Sequence, residues 1–164
     1  MLRACVITLS DKGYAGQRTD ESGPLAAKML EDAGYLVEEQ IILPDEPQRL
    51  QKELIRMADE NKVDLVITSG GTGFSLRDQT PEATMAVADR NAPGIAEYMR
   101  MKSAEITPRA MLGRGVSVLR KQTLIINLPG SPKGVRENLG FVLPTLQHGL
   151  EILQGSATEC ARKD

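Results

Sequence analysis

The run Thr68-Ser69-Gly70-Gly71-Thr72-Gly73-Phe74-Ser75-Leu76-Arg77-Asp78-Gln79-Thr80-Pro81 gathers the residues best suited to chemistry. Glycines let backbone N–H groups approach an oxyanion closely, because no Cβ blocks the ligand and positive φ costs little. Gly70, Gly71, Thr72 and Gly73 can therefore cradle a phosphate. The loop is not a Walker A sequence, since no Lys-Ser/Thr pair follows it, and it lacks GxGxxG spacing. A bare double glycine after a strand is most simply a tight turn. Three neighbouring features favour a ligand loop instead: an apolar β-branched run leads into it, Arg77 and Asp78 follow closely, and Thr80-Pro81 marks a helix start as N-cap and first-position proline.

A second carboxylate, Asp45, stands in Pro44-Asp45-Glu46-Pro47 after another apolar run. Taken alone it is a turn residue. In a parallel sheet, however, the loops that follow strands share one edge, so Asp45 and Asp78 are expected to converge. Paired aspartates beside phosphates suit Mg²⁺, which takes one or two carboxylates and completes its octahedron with water and substrate oxygens. Asp45 and Asp78 are thus the candidate catalytic and metal-binding residues.

Ser10-Asp11 through Asp20-Glu21-Ser22-Gly23 belongs on the same edge and enters a helix N-terminus, a place that favours anions; capping by Ser22 or Gly23 explains it equally well. Leu128-Pro129-Gly130-Ser131-Pro132-Lys133-Gly134 is a further strand-to-helix loop, a plain turn unless Lys133 meets a phosphate. His148 is the only histidine and lies in the terminal helical stripe, away from the strand-end loops, so neither a Ser/His/Asp triad nor a His-rich metal site can be built. Phosphoryl-type transfer, which relies on positioning and charge neutralisation, fits that inventory better than acyl transfer.

The elements that must position these loops follow from periodicity. Residues 2–9, 35–43 and 63–69 read as strands. Residues 24–33, 48–61, 81–90 and 95–105 read as helices, with Gly34 stopping the first. Val116–Leu119 and Thr123–Asn127 read as paired strands, and a helical stripe from Val135 to Leu153 carries Pro144, expected to kink or split it. The alternation predicts an α/β fold, a three-layer α/β/α sandwich on a mostly parallel sheet. One domain over 1–155 with a polar tail over 156–164 is expected.

With 20 basic and 22 acidic residues and 3% aromatics, the chain has neither the field nor the stacking surfaces for nucleic acid. No apolar run is long enough for a signal segment or a membrane span, and Cys5 and Cys160 suggest neither a disulfide nor a zinc framework. A cytoplasmic location is expected.

Taken together, Ser10-Asp11 with Asp20 and Ser22-Gly23, Leu43-Pro44-Asp45-Glu46, TSGGTGFSLRDQTPEA over 68–83, Ala92-Pro93-Gly94 and Leu124-Ile125-Ile126-Asn127-Leu128-Pro129-Gly130 resemble the MogA-type molybdopterin adenylyltransferases, which include the G domains of gephyrin and of plant Cnx proteins. The resemblance covers almost the whole chain. It implies a molybdopterin-binding-like fold, a homotrimer, and the joining of AMP from Mg-ATP to the terminal phosphate of molybdopterin with release of pyrophosphate. A hand-over to a molybdenum insertase would follow. It also implies roles for Asp45 and Asp78 as acidic catalytic or Mg²⁺-binding residues and for Gly70 to Gly73 as the nucleotide loop. Ser103, Asn127 and Ser131 become contacts to the pterin or its phosphate, and Ser10, Asp11, Ser22, Pro129 and Gly130 join them as ligand-binding candidates. One departure stands out: the family often carries a hydroxyl where this chain has Gly113, in Met111-Leu112-Gly113-Arg114. Thr80-Pro81-Glu82-Ala83-Thr84 is closer to the MogA type than to the related MoaB type. The competing functions are a pterin-binding scaffold without turnover and, more remotely, a nicotinamide dehydrogenase. Ser10-Asp11-Lys12-Gly13 after the first strand speaks against the latter, because a dinucleotide site wants GxGxxG there.

Overall fold

A computed structural model describes residues 1–156. Six strands, β1 (Arg3–Leu9), β2 (Leu36–Leu43), β3 (Leu65–Ser69), β4 (Arg90–Asn91), β5 (Ser117–Arg120) and β6 (Thr123–Leu128), form one sheet in the order β2-β1-β3-β6-β5-β4. β2, β1, β3 and β6 run parallel, whereas β5 pairs antiparallel with β6 and β4 antiparallel with β5. The helices are α1 (Asp11–Tyr14), α2 (Ser22–Asp32), α3 (Pro47–Ile55), α4 (Thr80–Ala86), α5 (Pro93–Ala104) and α6 (Pro132–Leu153).

β1, β3 and β6 are apolar along almost their whole length, as strands covered on both faces must be. Alternate residues face opposite layers. Ala4, Val6, Leu65, Ile67, Leu124 and Ile126 pack with α2, α5 and α6, while Cys5, Ile7, Val66, Val118 and Ile125 pack with α3 and α4. The expected three-layer sandwich is therefore present. Burial raises the Cys5 thiol to about 11, so it is an unreactive core group.

Several boundaries differ from expectation for identifiable reasons. α2 begins at Ser22 rather than Pro24, because Asp20 accepts the Gly23 amide (3.1 Å) and the Ser22 hydroxyl donates to Gly130 O (2.7 Å). α3 stops at Ile55 and widens into a π-turn over Arg56–Glu60. Gln79, not Thr80, caps α4. α6 passes Pro144 without a break, since Val142, Leu146 and Leu150 remain buried on both sides of it. Gly34 does end α2, at φ +92°. Cys160 and nearly all of the expected tail lie outside the described residues.

Polarity separates the two ends of the sheet. Leu2, Tyr35 and Asp64, each just before a parallel strand, border a hollow with Met1, Glu151 and Gln154. The candidate residues lie at the opposite edge.

Candidate active site

The chain passes from β1 to β2 on one side and returns to β3 on the other, so the C-terminal ends of β1 and β3 meet where strand order reverses. Ligands of open α/β sheets settle at such a switch point. Gly70 (φ +101°) and Gly71 (φ +69°) turn the chain out of β3 there. A Cβ on Gly70 would strike the Leu9 carbonyl, and one on Gly71 would strike Thr80 Oγ1 and lie 3.1 Å from Asp45 Oδ1. Glycine is required at both positions by left-handed backbone and by space.

The Gly70 amide donates to Leu128 O (3.2 Å), which makes Gly70 a turning residue and not a phosphate donor. Among the described residues, by contrast, none accepts the N–H of Gly71, Thr72 or Gly73. Three successive amides without a protein acceptor are available to an anion. Ser69 Oγ donates to Pro129 O (2.9 Å), and a Cβ on Gly130 would lie 3.3 Å from Gly70 Cα, so the loops after β3 and β6 pack backbone to backbone.

Two hollows flank this loop. The first, about 680 Å³, takes Ser10, Asp11, Asp20, Ser22, Asp45, Gly70, Gly71, Asp78, Gly130 and Ser131 into its wall. The second, about 510 Å³, is lined by Thr72, Gly73, Ser103, Gly113, Asn127, Pro129, Ser131 and Lys133 among others. Ser131 borders both, where it caps α6 by accepting the Gly134 amide (3.0 Å). All of the candidate residues thus gather at one edge, divided between two compartments.

The carboxylates lie on the larger side. Asp45 and Asp11 exchange hydrogen bonds through their backbones: the Asp11 amide donates to Asp45 Oδ2 (3.2 Å) and the Asp45 amide to Asp11 Oδ1 (3.0 Å). Arg77 grips Asp11 with two bonds (2.6 and 2.8 Å), and this guanidinium, with the Asp45 amide, holds the Asp11 carboxyl below the usual range. Asp45 is shifted the other way. Burial raises it first, the Asp11 and Asp78 charges push in the same direction, and the Asp11 amide and the Arg77 guanidinium only partly oppose them. A nearby cation favours the charged form of such a half-buried carboxylate. Asp78 Oδ2 accepts the Ser75 amide (3.0 Å), and a Cβ on Gly73 would lie 2.9 Å from that oxygen.

Other candidates serve the frame. The Asn127 side chain is 2% exposed; its amide donates to Thr68 Oγ1 (2.9 Å) and Thr84 Oγ1 (3.0 Å), and its carbonyl accepts the Val116 amide (3.1 Å). Both of its donors are spent inside the fold. Ser103 donates to Asn138 Oδ1 (3.0 Å), and Ser22, as above, to Gly130 O. Ser10 caps α1 by accepting the Gly13 amide (2.9 Å). His148 is exposed on α6, sixteen residues beyond Pro132 and so roughly 24 Å along the helix.

Sequence reasoning passed over Arg114 and Asn138. Arg114 bonds to carbonyl oxygens, which leave no trace in a sequence, and Asn138 gives only an ordinary polar break in the α6 stripe.

Residues 5–148 match the family described as "Probable molybdopterin binding domain". The molybdopterin adenylyltransferase of Helicobacter pylori strain J99 is 39% identical over 97% of this chain and 92% of its own length. That of Escherichia coli K12 is 43% identical over 84% of this chain and 72% of its own. The crystal structure of the molybdopterin biosynthesis enzyme MoaB from Thermus thermophilus superposes with a TM-score of 0.90 at 46% identity, covering 94% of this chain and 98% of that one. With the switch-point loop, the paired hollows and these matches in agreement, the chain belongs to the molybdopterin-binding domain family.

Proposed function

We propose that the protein is a molybdopterin adenylyltransferase of molybdenum cofactor biosynthesis, moving AMP from ATP to the molybdopterin phosphate. The observation that carries this is the division of one sheet edge into two hollows by Gly70–Gly73, with Asp45 and Asp78 on one side only. A transferase for two phosphate-bearing substrates needs such compartments, meeting at a shared anion cradle. The larger hollow suits the nucleotide, with Ser10, Asp11 and Ser22 in its wall. The smaller one suits the pterin, with Ser103 and Asn127 holding its floor and Ser131, Pro129 and Gly130 at the junction.

The pterin's phosphate is largely ionised at neutral pH, so its oxygen attacks the α-phosphorus of ATP without a general base. A new P–O bond forms as the bond to the β-phosphate oxygen breaks, and the electron pair leaves with pyrophosphate. The amides of Gly71, Thr72 and Gly73 offer donors to the charge that builds up. Asp45 and Asp78 fit Mg²⁺, because the crowding that raises Asp45 is relieved by a divalent charge. Bound there, Mg²⁺ would neutralise the departing pyrophosphate. Mg²⁺ would take its remaining ligands from substrate and water.

The exposed Tyr98, Met101, Ile106, Met111 and Leu112, on α5 and the turn after it, offer the apolar face for a homotrimer. No helix of the described residues is long and apolar enough to cross a membrane. Cytoplasmic assembly, with hand-over of the adenylylated product to a molybdenum insertase, completes the proposal.

Pyrophosphate release from purified protein should require ATP, Mg²⁺ and molybdopterin together. Asp78→Ala should lower it on the order of 100-fold while pterin binding persists. Binding without any effect of that substitution on release would overturn the assignment.

A further inference from the structure

Arg114 lies outside the acidic centre yet touches the loop that carries it at three points. Its backbone amide donates to Thr72 O (3.0 Å), its Nε to Gly73 O (2.8 Å) and its Nη2 to Asp78 O (2.7 Å). Nη1 meets both oxygens of Glu82 (2.7 and 2.9 Å). One planar guanidinium therefore ties together the two ends of the segment Gly73–Asp78. Inside that segment, Asp78 donates its amide to Ser75 O (2.9 Å) and accepts the Ser75 amide, leaving Phe74 and Leu76 exposed at 71% and 93%. Apolar packing does not fix a loop of that kind. What fixes it is polar: the fork that closes its base, and the Arg77–Asp11 pair that ties its outer side to the loop after β1.

We infer that Arg114 is the positioning residue for Asp78, setting where that carboxylate stands in the larger hollow by clamping the carbonyls of Gly73 and Asp78. The inference rests on the role given to Asp78 above. The fork geometry matters: five N–H donors in a fixed plane can reach two carbonyls and a carboxylate at once, whereas an ammonium holds at most part of that set. Glu82 stands behind the guanidinium and has no bond of its own to the loop. The backbone of the same residue continues Ala110–Gly113, a wall of the smaller hollow, so the clamp joins the wall of one compartment to the carboxylate of the other.

The test uses the full chain as wild type, Arg114→Gln, Arg114→Lys and Glu82→Gln. Arg114→Gln should lower kcat and raise the Mg²⁺ concentration for half-maximal pyrophosphate release, each by about 10–100-fold, with KM for molybdopterin within about threefold of wild type. Arg114→Lys should recover part of both losses. Glu82→Gln should leave the metal dependence within about threefold of wild type, because the carbonyl bonds survive. Mn²⁺ binding in the presence of ATP, followed by electron paramagnetic resonance, reports on Asp78 without turnover and should weaken in the same order. A purely structural role would lower the unfolding temperature and leave metal dependence unchanged. Mn²⁺ affinity in Arg114→Gln within twofold of wild type, or an equal loss in Glu82→Gln, overturns the inference. If wild type binds Mn²⁺–ATP yet releases no pyrophosphate, the adenylyltransfer reading fails separately, and the Mn²⁺ series still judges Arg114.

Discussion

Alanine at Gly73 should separate activity from stability, whereas alanine at Gly71 should damage both. At Gly71 the backbone sits at φ +69°, which costs a residue bearing a Cβ about 1–2 kcal/mol. The new methyl would also collide with Thr80 Oγ1, part of a residue only 3% exposed and held at the start of α4. Relieving that overlap adds about 1–3 kcal/mol. A total of about 2–5 kcal/mol corresponds to a fall of roughly 4–20 °C in unfolding temperature for a chain of this size. Gly73 differs in both respects. Its φ is not in the left-handed region, and its Cβ would meet only Asp78 Oδ2, the end of a movable side chain, at 2.9 Å. Gly73→Ala should cost less than about 1 kcal/mol of stability. Displacing the Asp78 carboxylate should nonetheless cut pyrophosphate release about tenfold or more. Differential scanning fluorimetry beside a pyrophosphate assay reads both quantities from one preparation. Full activity in Gly73→Ala with an unchanged Mg²⁺ requirement would refute the placement of Asp78, and an unchanged unfolding temperature in Gly71→Ala would refute the steric reasoning.

Two further expectations concern groups under tension. The Asp45 carboxyl titrates above its ordinary value of 3.8, so the native state binds that proton more tightly than the unfolded chain, and ionisation at neutral pH works against the fold. Asp45→Asn should abolish turnover yet raise the unfolding temperature at pH 7. That gain should shrink as pH falls through the raised pKa and vanish below 3.8, where both states are protonated; a lower unfolding temperature at pH 7 would contradict it. Asn127→Ala should strand the Val116 amide and two threonine hydroxyls, costing about 3 kcal/mol. Thermal unfolding should show a drop of roughly 6–12 °C, and a drop under 2 °C would mean that Asn127 serves the ligand and not the frame.

Much of this edge could be read from the chain because its signals are local. Apolar runs ending in Leu9, Leu43, Ser69 and Leu128 each deliver a polar loop, and right-handed parallel crossovers leave those loops one edge to share. The convergence of Asp45, Asp78 and Gly70–Gly73 followed from that alone. What stayed hidden depends on partners far away in sequence. Ser22 starts α2 early because Gly130, 108 residues on, accepts its hydroxyl. Asn127 lines the smaller hollow, but the three side-chain bonds that hold it there run to Thr68, Thr84 and Val116 and leave no local trace in the sequence. Pro144 looked like a break, but the buried residues around it outweigh one missing helical bond. Gly70 looked like a phosphate donor, but its amide closes the junction with β6. Gly113 begins extended chain (ψ 131°), with space for a hydroxyl apart from the Ala110 carbonyl at 3.3 Å.

Met1, Leu2 and Gln154 border the hollow at the far end of the sheet, across the full length of the strands from the glycine loop. An attachment made near residue 1 therefore leaves the edge that carries the glycine loop facing solution. Immobilised by that end on a sensor surface, the protein would present both hollows outward in one orientation, so nucleotide and pterin could be injected singly and in either order. Order of addition, which turnover assays blur, would become directly visible in the binding traces.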